Sequence, residues 1–155
     1  PQHLYLDFLS PYLTAKALSK PQKGNPFPDF QVLNAQGQAE SFQSQSDRPT
    51  VLAYMASGCG FSVYSVPTLA ELQDQYEGRF RLVTVWDDRN EEAFVSSPDQ
   101  KKHIAWQNLW DKNGLLSPWL GAPATPSYYL ISPEGELEKV IVGTGKLKKA
   151  LRKWL

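Results

Sequence analysis

Short, dense runs of apolar residues alternate with amphipathic stretches along this chain, and that alternation predicts strands separated by helices. The densest run, Thr50 to Ala56, carries β-branched and aromatic members and lies between Pro49 and the turn Ser57 to Gly60. It predicts a buried central strand. A helix is expected to begin near Cys59, with Tyr64, Leu69, Leu72 and Tyr76 on its inner face and Pro67 inside it as a kink. Phe80 to Trp86 predicts a second buried strand, Arg89 to Val95 a helix start, and Asn108 to Trp110 a short strand before the turn Asp111 to Gly114. Leu115 to Leu120 fits a short helix. Ser127 to Ile131, the turn Ser132 to Gly135, and Leu137 to Val142 form a hairpin pattern. In the last segment, Lys146 to Leu155, the residues Leu147, Ala150, Leu151 and Trp154 share one helical face. Lys146, Lys148, Lys149, Arg152 and Lys153 line the other, which reads as a solvated face near a helix C-terminus.

The N-terminal part differs in character. His3 to Ser19 has apolar positions at helical spacing, with Ser10 and Pro11 resembling an N-cap and first-turn proline, and predicts two short helices or one broken one. Lys20 to Pro28 is proline-rich and polar, an extended linker. Asp29 to Leu33 then predicts a strand, Asn34 to Gly37 a turn and Ala39 to Phe42 a return strand. The expected organisation is therefore a helical extension and linker over residues 1–26 followed by one domain over 27–155. The order of elements implies an α/β fold, a mixed sheet with helices on both faces, and a site at the C-terminal ends of strands.

Composition narrows the function classes. With 155 residues, 41% hydrophobic and 21% charged, the chain suits a single globular domain that buries a core without disulfides. The 16 basic residues balance the 16 acidic ones, a neutral field that points away from nucleic acid or anionic membrane as partners. No apolar run reaches bilayer length, and the chain opens on Pro1 without an apolar signal core, so a processed or trimmed chain is expected. His3 and His103 have no companion ligands in sequence, so no metal site and no cofactor are expected, and His103 reads as a loop residue. The five tryptophans, Trp86, Trp106, Trp110, Trp119 and Trp154, read as core and edge packing.

Cys59 is the only cysteine, which excludes an internal disulfide. It sits where the central strand hands over to a helix, a place where unpaired backbone N–H groups and the helix dipole favour the thiolate. Gly58 and Gly60 leave it uncovered and permit a tight turn. An accessible thiol with a pKa below the free value of about 8.5 is expected.

The run ASGCGFSVYSVP, the opening FPDFQVLNAQG, and the later half LWDKNGLLSPWLGAPATPSYYLISPEGEL together resemble the thioredoxin fold, and within it the TlpA/ResA/DsbE group of extracytoplasmic thiol-disulfide oxidoreductases. The likeness covers the chain from about Phe27 onward. It implies a thioredoxin-like sheet, a cis peptide bond between Thr125 and Pro126 facing Cys59, and an extended substrate held along Gly60, Phe61, Thr125 and Pro126. It also implies protein or small-molecule thiols and disulfides as partners, a membrane redox partner, and a bacterial periplasmic setting.

The departures are informative. Ser62 stands where that group has its second cysteine, Gly58 where tryptophan is usual, and Ala53 and Ser65 where an acidic residue often lies. Cys59 attacks and Ser62 donates a hydrogen bond to its thiolate, but the resolving step is missing. Either Ser62 replaces a native cysteine or the chain is a monothiol protein served by external thiols. Two rival readings stand beside the impaired reductase. One is a monothiol peroxidase, since ASGCGFSVY also resembles the glutathione-peroxidase turn; the glutamine and Trp-Asn partners are missing, and Leu52 and Ala56 break the peroxiredoxin motif. The other is a thioredoxin-shaped binding module without redox turnover, which requires a buried, unreactive Cys59.

Overall fold

The computed structural model describes residues 21–155 apart from 35, 96–98, 115 and 122–123; the helices expected over His3 to Ser19 lie outside the described residues. Strands β1 (Phe30–Asn34) and β2 (Ala39–Phe42) form the first hairpin. Strand β3 (Thr50–Met55), helix α1 (Gly60–Gln75) and strand β4 (Arg81–Trp86) make a parallel crossover unit. Helix α2 (Glu91–Val95), a 3-10 turn (Asp99–His103) and strand β5 (Gln107–Trp110) follow. After a second 3-10 turn (Lys112–Gly114) come helix α3 (Ser117–Leu120), the hairpin of β6 (Ser127–Ile131) and β7 (Leu137–Val142), and helix α4 (Thr144–Trp154).

All seven strands join one sheet in the order β2-β1-β5-β4-β3-β6-β7. Strands β3, β4 and β5 run parallel, while β6, β7, β1 and β2 add antiparallel margins. Every residue of β3 is buried, as a strand covered on both faces must be. On one face Val51, Ala53 and Met55 pack beneath α1 and α4, through Val66, Leu69, Leu72, Leu147 and Leu151. On the other, Leu52 and Tyr54 meet Phe27, Leu116, Trp119 and Leu120. The sheet thus carries helices on both faces, a thioredoxin-like α/β fold, with the short α3 against the second face.

The β6–β7 hairpin has the expected bounds, and most other elements differ from expectation only by a few terminal residues. Trp86, Trp110 and Trp119 are buried, and Trp106 and Trp154 pack against the core margin. His103 is exposed in the 3-10 turn. One expectation needs correction. Tyr64 is not on the inner face of α1: it is 71% exposed, and the buried stripe is Ser62, Val63, Ser65, Val66, Leu69 and Leu72. Small serines that pack against the sheet interrupt the apolar periodicity, so the aromatic ring is a misleading marker of the core face. Where the linker enters the main fold, Gly24 N and Phe27 N donate to Leu137 O and Gly135 O at 2.8 and 2.7 Å, and the Phe27 ring is buried. That pins it to the β6–β7 hairpin.

Candidate active site

The parallel β3–β4 pair forces a crossover, and α1 is that crossover, so its N-terminus opens at the C-terminal end of the central strand. Cys59 is its N-cap, in extended conformation at φ −102° and ψ 114°. Its carbonyl accepts the N–H of Ser62 at 3.0 Å and of Val63 at 3.2 Å, while its own N–H donates to Ala56 O at 3.0 Å. The first turn of α1 contains no acidic side chain, so no carboxylate within that turn offsets the positive end of the helix dipole.

Cys59 is partly exposed, which removes the premise of an inert thiol sealed in the core. Across from it, the Thr125–Pro126 peptide bond is cis, and Thr125 O lies 3.4 Å from Cys59 Sγ. The carbonyl accepts the S–H and so favours the neutral thiol. Groups that stabilise the thiolate outweigh it. A hydrogen bond from the Thr125 side chain contributes most to lowering the thiol pKa below its ordinary value; partial burial opposes it, and the Ser62 amide and hydroxyl and the Phe61 amide add to it.

Ser62 is fully buried, and its Oγ accepts the Ala56 N–H at 3.2 Å, leaving the hydroxyl proton to point at the sulfur. Ser65 Oγ donates to Ser62 O at 2.7 Å, one turn further along. Gly58 and Gly60 both have ordinary negative-φ backbone, and a Cβ at Gly58 meets nothing within 4 Å. The turn itself does not demand glycine; the two glycines leave the thiol's approach open.

Beside the sulfur runs a groove of about 480 Å³, lined by Phe61, Tyr64, Thr125, Pro126, Val142 and Gly143 among others. Phe61 is 82% exposed and Val142 38%. The structure therefore brings Cys59, Ser62, Phe61, Thr125 and Pro126 to one place, with Gly60 exposed as the first residue of α1. Sequence reasoning missed Tyr64 and Val142 as groove walls. It also missed the support beneath the turn, where Ser57 N and Ser57 Oγ donate to the Asp88 carboxylate at 2.8 and 2.6 Å. A visible signal was the Asp87-Asp88 pair at the end of a buried strand next to the central one.

The Redoxin family model matches residues 22–153. The "Thioredoxin-like protein YneN" of Bacillus subtilis (strain 168) is 23% identical over 138 residues, which cover 85% of this chain and 78% of that protein. A thiol-disulfide oxidoreductase from Bacteroides fragilis NCTC 9343 superposes with a TM-score of 0.70 at 22% identity, covering 84% of this chain and 100% of the other. A putative thiol:disulfide interchange protein DsbE from Chlorobium tepidum gives 0.71 at 23% identity, covering 86% and 95%. With a family match over nearly its whole length and a thioredoxin-like fold built around one polarised thiol, this chain belongs to the Redoxin family.

Proposed function

We propose that the chain is a thiol-disulfide oxidoreductase, a reductase of protein disulfides, in a form without a resolving cysteine. The observation that carries this reading is the partly exposed Cys59 sulfur, ringed by the Ser62 and Phe61 amides and the Thr125 side chain at a helix N-terminus. The thiolate attacks one sulfur of a substrate disulfide. A new S–S bond to Cys59 forms, the substrate S–S bond breaks, and the departing thiolate takes a proton from solvent. Ser62 cannot displace the captured sulfur, so the mixed disulfide persists until an external thiolate attacks it. Gly60, Phe61, Thr125 and Pro126 form the substrate edge, and an extended peptide laid along Thr125 adds a short strand-like contact. By the resemblance of its motifs, the setting is extracytoplasmic, the bacterial periplasm, with a membrane redox partner supplying or accepting electrons. No helix among the described residues is long and apolar enough to cross a membrane.

Oxidised glutathione and mass spectrometry test the reading. The reduced chain gains one glutathione adduct that dithiothreitol removes, Cys59→Ala gains none, and the alkylation rate of Cys59 titrates with a midpoint below about 8.5. A midpoint at or above that value, or the absence of an adduct, overturns the proposal and favours the binding-module reading. For a peptide disulfide, Tyr64→Ala slows capture about three- to tenfold while glutathione capture is unchanged, because only the longer substrate covers the groove wall. Equal rates for both substrates remove the groove from the substrate site.

A further inference from the structure

Below the turn that presents Cys59 lies an ion pair that the exchange chemistry does not itself use. Asp88 follows β4 and is 3% exposed; Lys101 comes from the Asp99–His103 turn and is 6% exposed. Their side chains approach to 3.6 Å, and Lys101 Nζ also sits 4.2 Å from the centre of the Trp86 ring. Nζ donates to Ser57 Oγ at 2.5 Å, to Ala93 O at 2.9 Å and to Phe94 O at 3.1 Å. Asp88 Oδ1 takes the Ser57 amide and Oδ2 the Ser57 hydroxyl, while Asp88 O accepts Trp110 Nε1 at 2.6 Å. Ser57, two residues before Cys59, is thus gripped at both its amide and its hydroxyl.

A buried ion pair is an expensive way to fill this space. Desolvating both charges consumes most of their attraction, and apolar residues of similar volume often serve stability as well or better. The pair gains its meaning from what it holds in place. Asp88 is not placed as a proton shuttle for the thiol, because both its oxygens are already engaged by Ser57 and Lys101. The donors around the Cys59 sulfur work only if the turn keeps that atom over the first residues of α1.

We propose that Asp88 and Lys101 are positioning residues that act through Ser57, locking the Ala56–Gly60 turn so that the Cys59 sulfur stays against the Phe61 and Ser62 amides. This rests on the thiol chemistry proposed above, but it can fail separately. The test compares the whole chain with Ser57→Ala, Ser57→Thr and Lys101→Met by measuring iodoacetamide alkylation of Cys59 across pH, with thermal melts to show that each variant is folded.

Ser57→Ala and Lys101→Met shift the alkylation midpoint upward by about one pH unit, a roughly tenfold smaller thiolate fraction below the midpoint. Ser57→Thr, which keeps the hydroxyl, restores the parent profile. Midpoints unchanged in folded variants overturn the brace. If Lys101→Met does not fold, Ser57→Ala alone decides, since it removes one oxygen and leaves the ion pair in place. The parent's absolute midpoint judges the proposed function; the difference between parent and variants judges the brace.

Discussion

Ser62→Cys turns a chain that stalls as a mixed disulfide into one that cycles. In the present sequence the Ser62 side chain is one of the groups that favour the Cys59 thiolate, three residues away across the first turn of α1. A thiol there stands three residues along the same helical turn, and serine to cysteine is a near-isosteric exchange in a site with no exposed surface. Its burial confines it to one target, the Cys59 sulfur of the mixed disulfide, from which the substrate thiolate then departs. An intramolecular thiol replaces a bimolecular step, so turnover of insulin disulfides with millimolar dithiothreitol rises at least about a hundredfold over the parent. The same variant, oxidised alone, loses two hydrogens in mass and resists alkylation at both sulfurs. Formation of that disulfide without any gain in turnover removes the reductase reading, because attack and resolution are then both available and still no substrate is reduced.

How much of this was legible in the sequence depends on the distance over which each signal acts. The β6–β7 hairpin reads directly, because Ser132 to Gly135 encodes its own turn, with Gly135 at φ +89° where a side chain is disfavoured. Cys59 reads from its place between an apolar run and a helix, a purely local pattern. Tyr64 does not, since α1 buries Ser62 and Ser65 where the period calls for apolar residues and turns the large ring toward the groove instead. Nor does the support under the turn. Ser57, Asp88 and Lys101 are separated by 31 and 13 residues, and the second stretch holds the five-residue helix α2, too short for a period that would place Lys101. Tertiary closure alone unites them.

The same kind of closure supports the other side of the site, and removing it gives the largest expected loss of stability. Asp111 is fully buried, and its Oδ2 accepts the Tyr54 hydroxyl at 2.8 Å and the Leu116 amide at 2.9 Å. It thereby ties the central strand, the end of β5 and the start of α3, the helix that precedes the Thr125–Pro126 loop. Burial, then the negative charge of Asp111, push the Tyr54 phenol far above its ordinary value, so its proton stays on oxygen as donor at any pH the fold survives. Asp111→Ala strands the buried Tyr54 hydroxyl and Leu116 amide, each costing about 1–3 kcal/mol, with some relief from deleting a buried carboxylate. The net destabilisation is about 3 kcal/mol, a fall in Tm of roughly 6–12 °C for a domain of this size. Adding Tyr54→Phe removes one of the stranded donors and recovers part of the loss, so the two substitutions are non-additive in a urea-unfolding cycle. Strict additivity, or a loss under about 1 kcal/mol for Asp111→Ala, means that water reaches those donors and that the carboxylate is not what fastens α3 to the sheet.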